Sequence, residues 1–496
     1  MLLAGLVLAL SNFMVVLDTT IANVSVPHIA GGLGISPTEG TWVITSYAVA
    51  EAICVPLTGW LARRFGEVRV FVAGMIGFGI FSFLCGTAGS LEALVAYRVG
   101  QGLAGGPLMP ISQTLLLRIF PKERHAMAMG IWSMTTITAP IFGPILGGTI
   151  SDSWGWNWIF FINVPIALLC SAAAVALLRR SESKTEKVPV DLIGLGILIA
   201  SIAALQIMLD LGRERDWFGS PFIVHLAVIS FIGFTVLIAW ELFDRHPIVD
   251  LKIFRHRGFT VSVSALIFTY GAFFASLVII PQWLQTSLGY TATWAGYVTA
   301  WNGVAAVFMA PVAAMLSQKV DPRILVSGGI VWLAVTSLTR VFWWTSGADF
   351  WTLALPQLIQ GAGMPFFFVP LTTLALGAVN DDEVASAAGL MNFLRTMSGA
   401  VATAIGVTMW ENGSQRARDS LTSTLSNTQS SMATLQAHGF GVEQSRQFVS
   451  QLVDSQASAI ATVNIFELFA AVFILAATII WFAPKPKHAV GLGAAH

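Results

Sequence analysis

Charge is scarce in this chain of 496 residues: Asp, Glu, Lys and Arg make up 10% of it, against about 25% in ordinary soluble domains. The 26 basic residues are balanced by 26 acidic ones. That leaves no basic field to hold nucleic acid and no acidic tail to recruit basic partners. Cysteine is nearly absent. Cys54, Cys85 and Cys170 lie in apolar runs without CxxC spacing or a neighbouring His, which excludes a disulfide framework and a Cys/His metal site and leaves packing. There is no GxxxxGK[ST] phosphate loop and no connection long enough to fold a nucleotide-binding domain, so ATP is excluded as the direct energy source. HExxH is missing, and so is a GxSxG with plausible His and acid partners. No enzyme chemistry and no cofactor is expected.

What the chain has in abundance is apolar length: 55% of it is hydrophobic. A membrane-crossing helix needs about 20 mainly apolar residues. Stretches of that kind bounded by charges or Gly/Pro turns lie near 2–25, 41–62, 69–88, 93–118, 126–150 and 158–178, then 192–210 and 221–242, then 259–282, 294–316, 324–341, 350–376, 384–410 and 459–482. The expectation is an all-α membrane protein of fourteen spans. It divides into a six-helix half at 1–180, a linker (RRSESKTEK, from Arg179) with two further helices at 181–255, and a second six-helix half at 256–496. The first span lacks a basic leader and a cleavage site and carries Asp18, so it reads as a retained helix. With both ends of the chain cytoplasmic, the inside connections hold 18 of the 26 basic residues and the outside ones six, which is the bias expected for that orientation. The longest outside segment is then a polar loop at about 412–458, rich in Ser, Gln and Thr.

One offset relates distant parts of the chain. RVGQG at Arg98–Gly102 returns 259 residues later as QLIQG at Gln357–Gly361, and Gly130 returns as Gly389. Duplicated halves around a central cavity are common among secondary transporters. On that reading the two middle helices are inserted.

An ion-coupled carrier needs a few ionisable groups at membrane depth. Asp18, Glu51, Arg98, Arg395 and Glu467 fall well inside expected spans, where each is costly and therefore faces a partner or an aqueous cavity. They are the candidate proton-coupling residues, with Asp18 the first choice and Glu51 the second, although each also reads as an interhelical structural group. Candidate substrate contacts are polar or adaptable residues at midspan: Asn12, Trp132, Met134, Tyr270, Phe274, Trp301, Asn302, Asn392 and Phe393. Aromatics and Met suit a broad pocket, and they equally suit ordinary helix packing. An ion-coupled importer or uniporter of a small organic solute stays open beside an exporter.

Several ordered motifs carry a family resemblance. LDTTIANVSVP from Leu17, LVAYRVGQGLAGG from Leu94 (with Arg98, Gln101 and Gly102) and APIFGPILGG from Ala139 resemble the first-, fourth- and fifth-helix motifs of the fourteen-helix drug/proton antiporters of the major facilitator superfamily. In the third motif Pro140 and Pro144 remove backbone donors and bend the helix, while Gly143, Gly147 and Gly148 admit a close neighbour. WIFFINVP from Trp158, LQIMLDLG from Leu205, HPIVDL from His246 and GYTATWAG from Gly289 narrow the likeness to inner-membrane pumps of tripartite multidrug exporters. One loop departs from the pattern. GWLARRFGEVR from Gly59 places Arg63 where the family has an acid and Glu67 where it has a base. The resemblance implies the major facilitator fold, export of small hydrophobic, often weakly acidic drugs in exchange for protons, and residence in a bacterial inner membrane. It also implies a periplasmic adaptor of the EmrA type and an outer-membrane channel of the TolC type.

Overall fold

The computed structural model describes residues 1–496 except 122–123, 187–188, 245–246, 425–431, 433–434, 439 and 485–496, together with the side chains of 37, 38, 137, 141, 144, 292 and 424. Lys122, Lys187, Arg245, His246, Lys485 and Lys487, which entered the charge asymmetry or the motifs, therefore lie outside the described residues, as does the side chain of Pro144.

Among the described residues the chain is all helix. In order come α1 (Leu2–Leu33), α2 (Pro37–Gly40), α3 (Trp42–Cys54), α4 (Thr58–Phe65), α5 (Glu67–Gly86), α6 (Leu91–Gly105), α7 (Leu108–Ile119), α8 (His125–Trp154), α9 (Trp158–Phe161) and α10 (Asn163–Leu178). They are followed by α11 (Leu192–Leu211), α12 (Pro221–Phe243), α13 (Arg257–Ser287), α14 (Ala292–Leu316), α15 (Pro322–Trp343), α16 (Phe350–Gly377), α17 (Val384–Thr424) and α18 (Val442–Ile479). Breaks fall where backbone chemistry demands them. α3 and α4 meet at a 58° bend around Pro56, which cannot donate to the preceding turn. The two arms of α8, His125–Pro140 and Ile145–Trp154, are bent by 51° across the Gly-Pro motif. Gly34, at φ 68°, closes α1 with a left-handed residue, a conformation glycine adopts without steric cost.

Ten of the described helices are long and apolar enough to cross a membrane, or twelve if each bent pair is one span. The expected spans at 93–118 and 384–410 are helical, as α6 with α7 and as α17, but are not among the twelve. The reasons differ: α6 and α7, parted at Pro107, have 15 and 12 residues and are each too short to cross alone, whereas in α17 the buried Asn392 and Arg395 dilute the apolar signal. The polar stretch expected as a loop at about 412–458 is largely helix, since α17 runs on to Thr424 and α18 starts at Val442. That stretch contains no proline, and Arg418 ties the two helices through Asp454 (3.0 Å) and Ser450 (3.2 Å). At 41 residues, α17 is about 60 Å long, twice the roughly 30 Å hydrocarbon core.

Packing repeats itself along the chain. α1 lies on α8, α3 on α6 and α5 on α6; correspondingly α13 lies on α17, α14 on α16 and α15 on α16. α8 also packs against α14 and α17 against α4. A Cβ on Gly130 would meet Ala314 at 3.1 Å, and one on Gly389 would meet the Val55 carbonyl at 3.0 Å. Positions 55 and 314 are themselves 259 apart. α11 joins the bundle against α3 and α17, with α12 outside it.

Candidate functional site

A cavity of about 500 Å³ opens between α1, α3, α8, α11, α13 and α17. Its wall is mixed: Val15, Val16, Phe274 and Val278 are apolar, Thr19, Thr20 and Asn23 are polar, and Glu51, Arg98, Asp210, Arg213 and Arg395 carry charge. It reaches Arg213 and Trp217, in the connection after α11. At the opposite end the bundle is closed. There Gly389 brings α17 against Val55 and Thr58, and Asn392 donates to Gln113 Oε1 (2.5 Å) and to the Ala388 carbonyl (2.8 Å).

Arg98 sits at the wall in a buried hydrogen-bond network in which its Nη2 has no partner. Its side chain is fully buried; Nη1 donates to Asp18 Oδ2 (2.6 Å) and Gln101 Oε1 (2.8 Å), and Nε donates to the Val43 carbonyl (3.0 Å). Asp18 also accepts from Asn163 (2.6 Å) and Gln101 (3.1 Å). The Tyr47 and Phe160 rings lie 4.2 and 5.6 Å from the guanidinium carbon. Gly102 is the reason α6 can carry this load so close to α3, because a Cβ there would stand 2.6 Å from the Tyr47 carbonyl. A charge pair at this depth persists because nearly every lone pair of the carboxylate is occupied.

Arg395 is held differently. Trp132, Tyr270 and Phe368 surround its guanidinium at 5.5, 5.3 and 5.8 Å, Met109 Sδ accepts from Nη2, and Nε has no partner. It lines the cavity with Glu51. A cation caged by aromatic faces and open to a cavity is suited to an anionic group on an apolar ligand. Trp132 is anchored by its N–H to Ser112 (2.8 Å) and stacks on Phe368 at 6.2 Å; Tyr270 stacks on Phe274 at 5.7 Å.

The remaining candidates disperse. Asn12 is buried and donates to Thr135 and Thr136, both at 2.8 Å, while Met134 is half-buried on α8. Trp301 packs on Trp351 (5.6 Å), and Asn302 donates to Gln360 (3.2 Å), beyond the cavity wall. Phe393 is buried, and Glu467 is exposed on the outside of α18. Pro140 lines the cavity; a Cβ on Gly143 would strike Thr20, one on Gly147 would lie 3.1 Å from the Ile21 carbonyl, and Gly148 has open space. The sequence reading missed Tyr47 and Asn163, which complete the Asp18–Arg98 network. It also missed Gln206 and Asp210 of α11, which line the cavity and bond to each other at 3.2 Å. Asp210 could have been found as the acid interrupting the apolar run LQIMLDLG.

The sequence profile described as Major Facilitator Superfamily matches residues 8–403. The chain is 43% identical to the Multidrug export protein EmrB of Escherichia coli (strain K12) over 98% of this chain and 96% of that one. It is 40% identical to the Fatty acid resistance protein FarB of Neisseria gonorrhoeae at the same coverage. Among solved structures, the proton:xylose symporter XylE bound to 6-bromo-6-deoxy-D-glucose superposes with a TM-score of 0.59 at 15% identity, covering 98% of this chain and 96% of that one, which is a likeness of fold.

Proposed function

This chain belongs to the major facilitator superfamily, and from that premise we propose that it is a proton-coupled multidrug efflux antiporter, exporting hydrophobic, often weakly acidic compounds across a bacterial inner membrane. The observation that carries the reading is the cavity shared by Glu51 and the aromatic-caged Arg395. An apolar acid places its body against Tyr270 and Phe274 and its carboxylate toward Arg395. Glu51, on the facing helix, holds a proton in one conformation of the carrier and loses it in the other, and substrate binding shifts the balance between the two. Asp18, the first choice on sequence, is locked to Arg98, Gln101 and Asn163 in this conformation. It positions Arg98 at the wall, and Glu51 is the carboxylate we assign to proton exchange.

The proposal extends to architecture. The recurring helix pairs support six-helix halves at 1–180 and 256–496 and fourteen spans in all, with α6–α7 and α17 as the two polar ones and α11–α12 as the insertion. With both termini cytoplasmic, the cavity is open to the outside and the α17–α18 extension projects there, where an EmrA-type adaptor leading to a TolC-type channel would dock. The names of the 43% and 40% identical relatives support an export direction for hydrophobic or acidic cargo.

The test is proton release from purified protein in detergent on addition of hydrophobic weak acids. Release is expected from the wild type and lost in Glu51→Gln, with substrate binding retained. Uphill, proton-driven efflux by Glu51→Gln in vesicles would return the role to Asp18, and release by no compound in the panel would sink antiport.

A further inference from the structure

A second buried arginine lies apart from the cavity. Arg340, in the last turn of α15, is 1% exposed, and its Nη2 donates to Gln357 Oε1 (3.0 Å) and to Gln360 Oε1. The rings of Phe466 and Trp344 close over it at 4.9 and 5.4 Å. Among the described residues no carboxylate pairs with it. Its Nε and Nη1, and the amide nitrogens of Gln357 and Gln360, have no partner, although both glutamines are fully buried. Both amide oxygens accept from one guanidinium nitrogen, and Gln360 Oε1 accepts from Asn302 Nδ2 (3.2 Å) as well. The centre thus combines one net positive charge with four donor groups lacking acceptors, in a site with no exposed face.

A neutral acceptor would satisfy N–H groups but leave the charge uncompensated at membrane depth. An anion answers both. We propose that Arg340, Gln357 and Gln360 form a binding site for a small monovalent anion of the halide class. The enclosing rings and glutamine side chains favour a single-atom ion over a carboxylate or phosphate. The site is separate from the transported substrate, since none of the three residues lines the cavity. Arg340 lies three residues from the end of α15 and Gln357 seven from the start of α16, so the ion enters from the water face at the α15–α16 connection.

The experiment compares melting of the purified full-length protein in sodium chloride, sodium bromide and sodium gluconate at equal ionic strength. Chloride and bromide should raise the melting temperature saturably above gluconate. Gln357→Glu supplies a resident carboxylate beside Arg340. It should fold, melt in gluconate at least as high as wild type, and lose the halide increment, and Arg340→Gln should lose it too. No halide increment in wild type would overturn the proposal and leave water as the acceptor. An increment that survives intact in Gln357→Glu would equally overturn it by placing the ion elsewhere.

Discussion

The Arg98 and Arg340 centres occupy related places in the two regions joined by the 259-residue offset, and they handle a buried cation in different ways. Around Arg98, Asp18 supplies the counter-charge and Asn163 and Gln101 fill its lone pairs. At the same offset Gln360 repeats Gln101 and Gly361 repeats Gly102, but Arg98 is replaced by Gln357 and Asp18 by Leu277. The positive charge has moved to the neighbouring helix, onto Arg340. An aromatic ring covers the cation in both, Phe160 in one and Phe466 in the other. The close backbone approach is retained as well, since a Cβ on Gly361 would run into the Asn302 backbone as one on Gly102 would into that of Tyr47. The close helix contact thus recurs at the two related positions, while the ionic partner differs.

The comparison breaks most readily at its charges. Asp18→Ala strands Arg98 without an anion and should destabilise the protein by about 3–5 kcal/mol. Arg340→Met removes a charge that has no protein counter-ion but orphans the buried Gln357 oxygen, and should cost less, about 1–3 kcal/mol in gluconate. Thermal unfolding in detergent reads both. Equal losses would mean that the two centres are energetically alike after all.

The third buried arginine sharpens the same contrast, because Arg395 faces the cavity with an aromatic cage where Arg98 has a carboxylate. Arg395→Gln should weaken binding of an acidic substrate by about 1.5–3 kcal/mol, the range for hydrogen bonds to charged groups, and leave a neutral analogue nearly unaffected. Titration calorimetry with an acid and its methyl ester checks this. Equal weakening of the two would make Arg395 a packing residue.

What was legible in the sequence follows from the same physics. Apolar length announced the helices, and the prolines at 140 and 144 announced a bend. The charges at 18, 51, 98 and 395 stood out against the apolar background, and all four lie at or beside the cavity. Partnership was not legible: nothing in the residue string says that Asp18 meets Asn163, 145 positions away, or that Arg340 has only amides. Arg340 was passed over because it stands near the end of an apolar run and reads as an interfacial charge. Among the midspan polar residues, Asn302 and Asn392 contact glutamines across helix contacts, an arrangement a sequence does not separate from a cavity wall. The stretch at 412–458 was misread because polarity marks distance from lipid and not the absence of helix.

Smaller in effect is the backbone contact that both regions retain. Gly102→Ala and Gly361→Ala each push a methyl group into the backbone of a neighbouring helix and should cost about 1–3 kcal/mol apiece, the range for overpacking. The two losses should match within error. A harmless Gly361→Ala would show that the close approach is needed only where the ion pair is.

The smallest expected difference lies at the ends of the helices. The amino end of α5 is held in trans by the linker, where Glu182 accepts from the backbone N–H groups of Val68 (2.9 Å) and Arg69 (3.2 Å). The amino end of α17 has its own acid: Glu383 pairs with Arg255 (2.6 Å) and His256 (2.8 Å) and accepts from Asn380 (3.2 Å to N, 2.9 Å to Nδ2). Partial burial pushes the Glu383 carboxyl up, but the Asn380 N–H, His256 and Arg255 outweigh it and hold the pKa below the usual 4.5. A depressed folded-state pKa contributes stability that is present above the unfolded value and disappears as pH falls through the folded one. Glu383→Gln should therefore lower stability at neutral pH by about 0.2–1 kcal/mol, as for an exposed ion pair, with the gap to wild type narrowing below about pH 4.5. Melting curves of the two proteins from pH 7 down to 3.5 measure that gap. A gap that widened on acidification would mean that Glu383 acts at this helix end through its shape and not its charge.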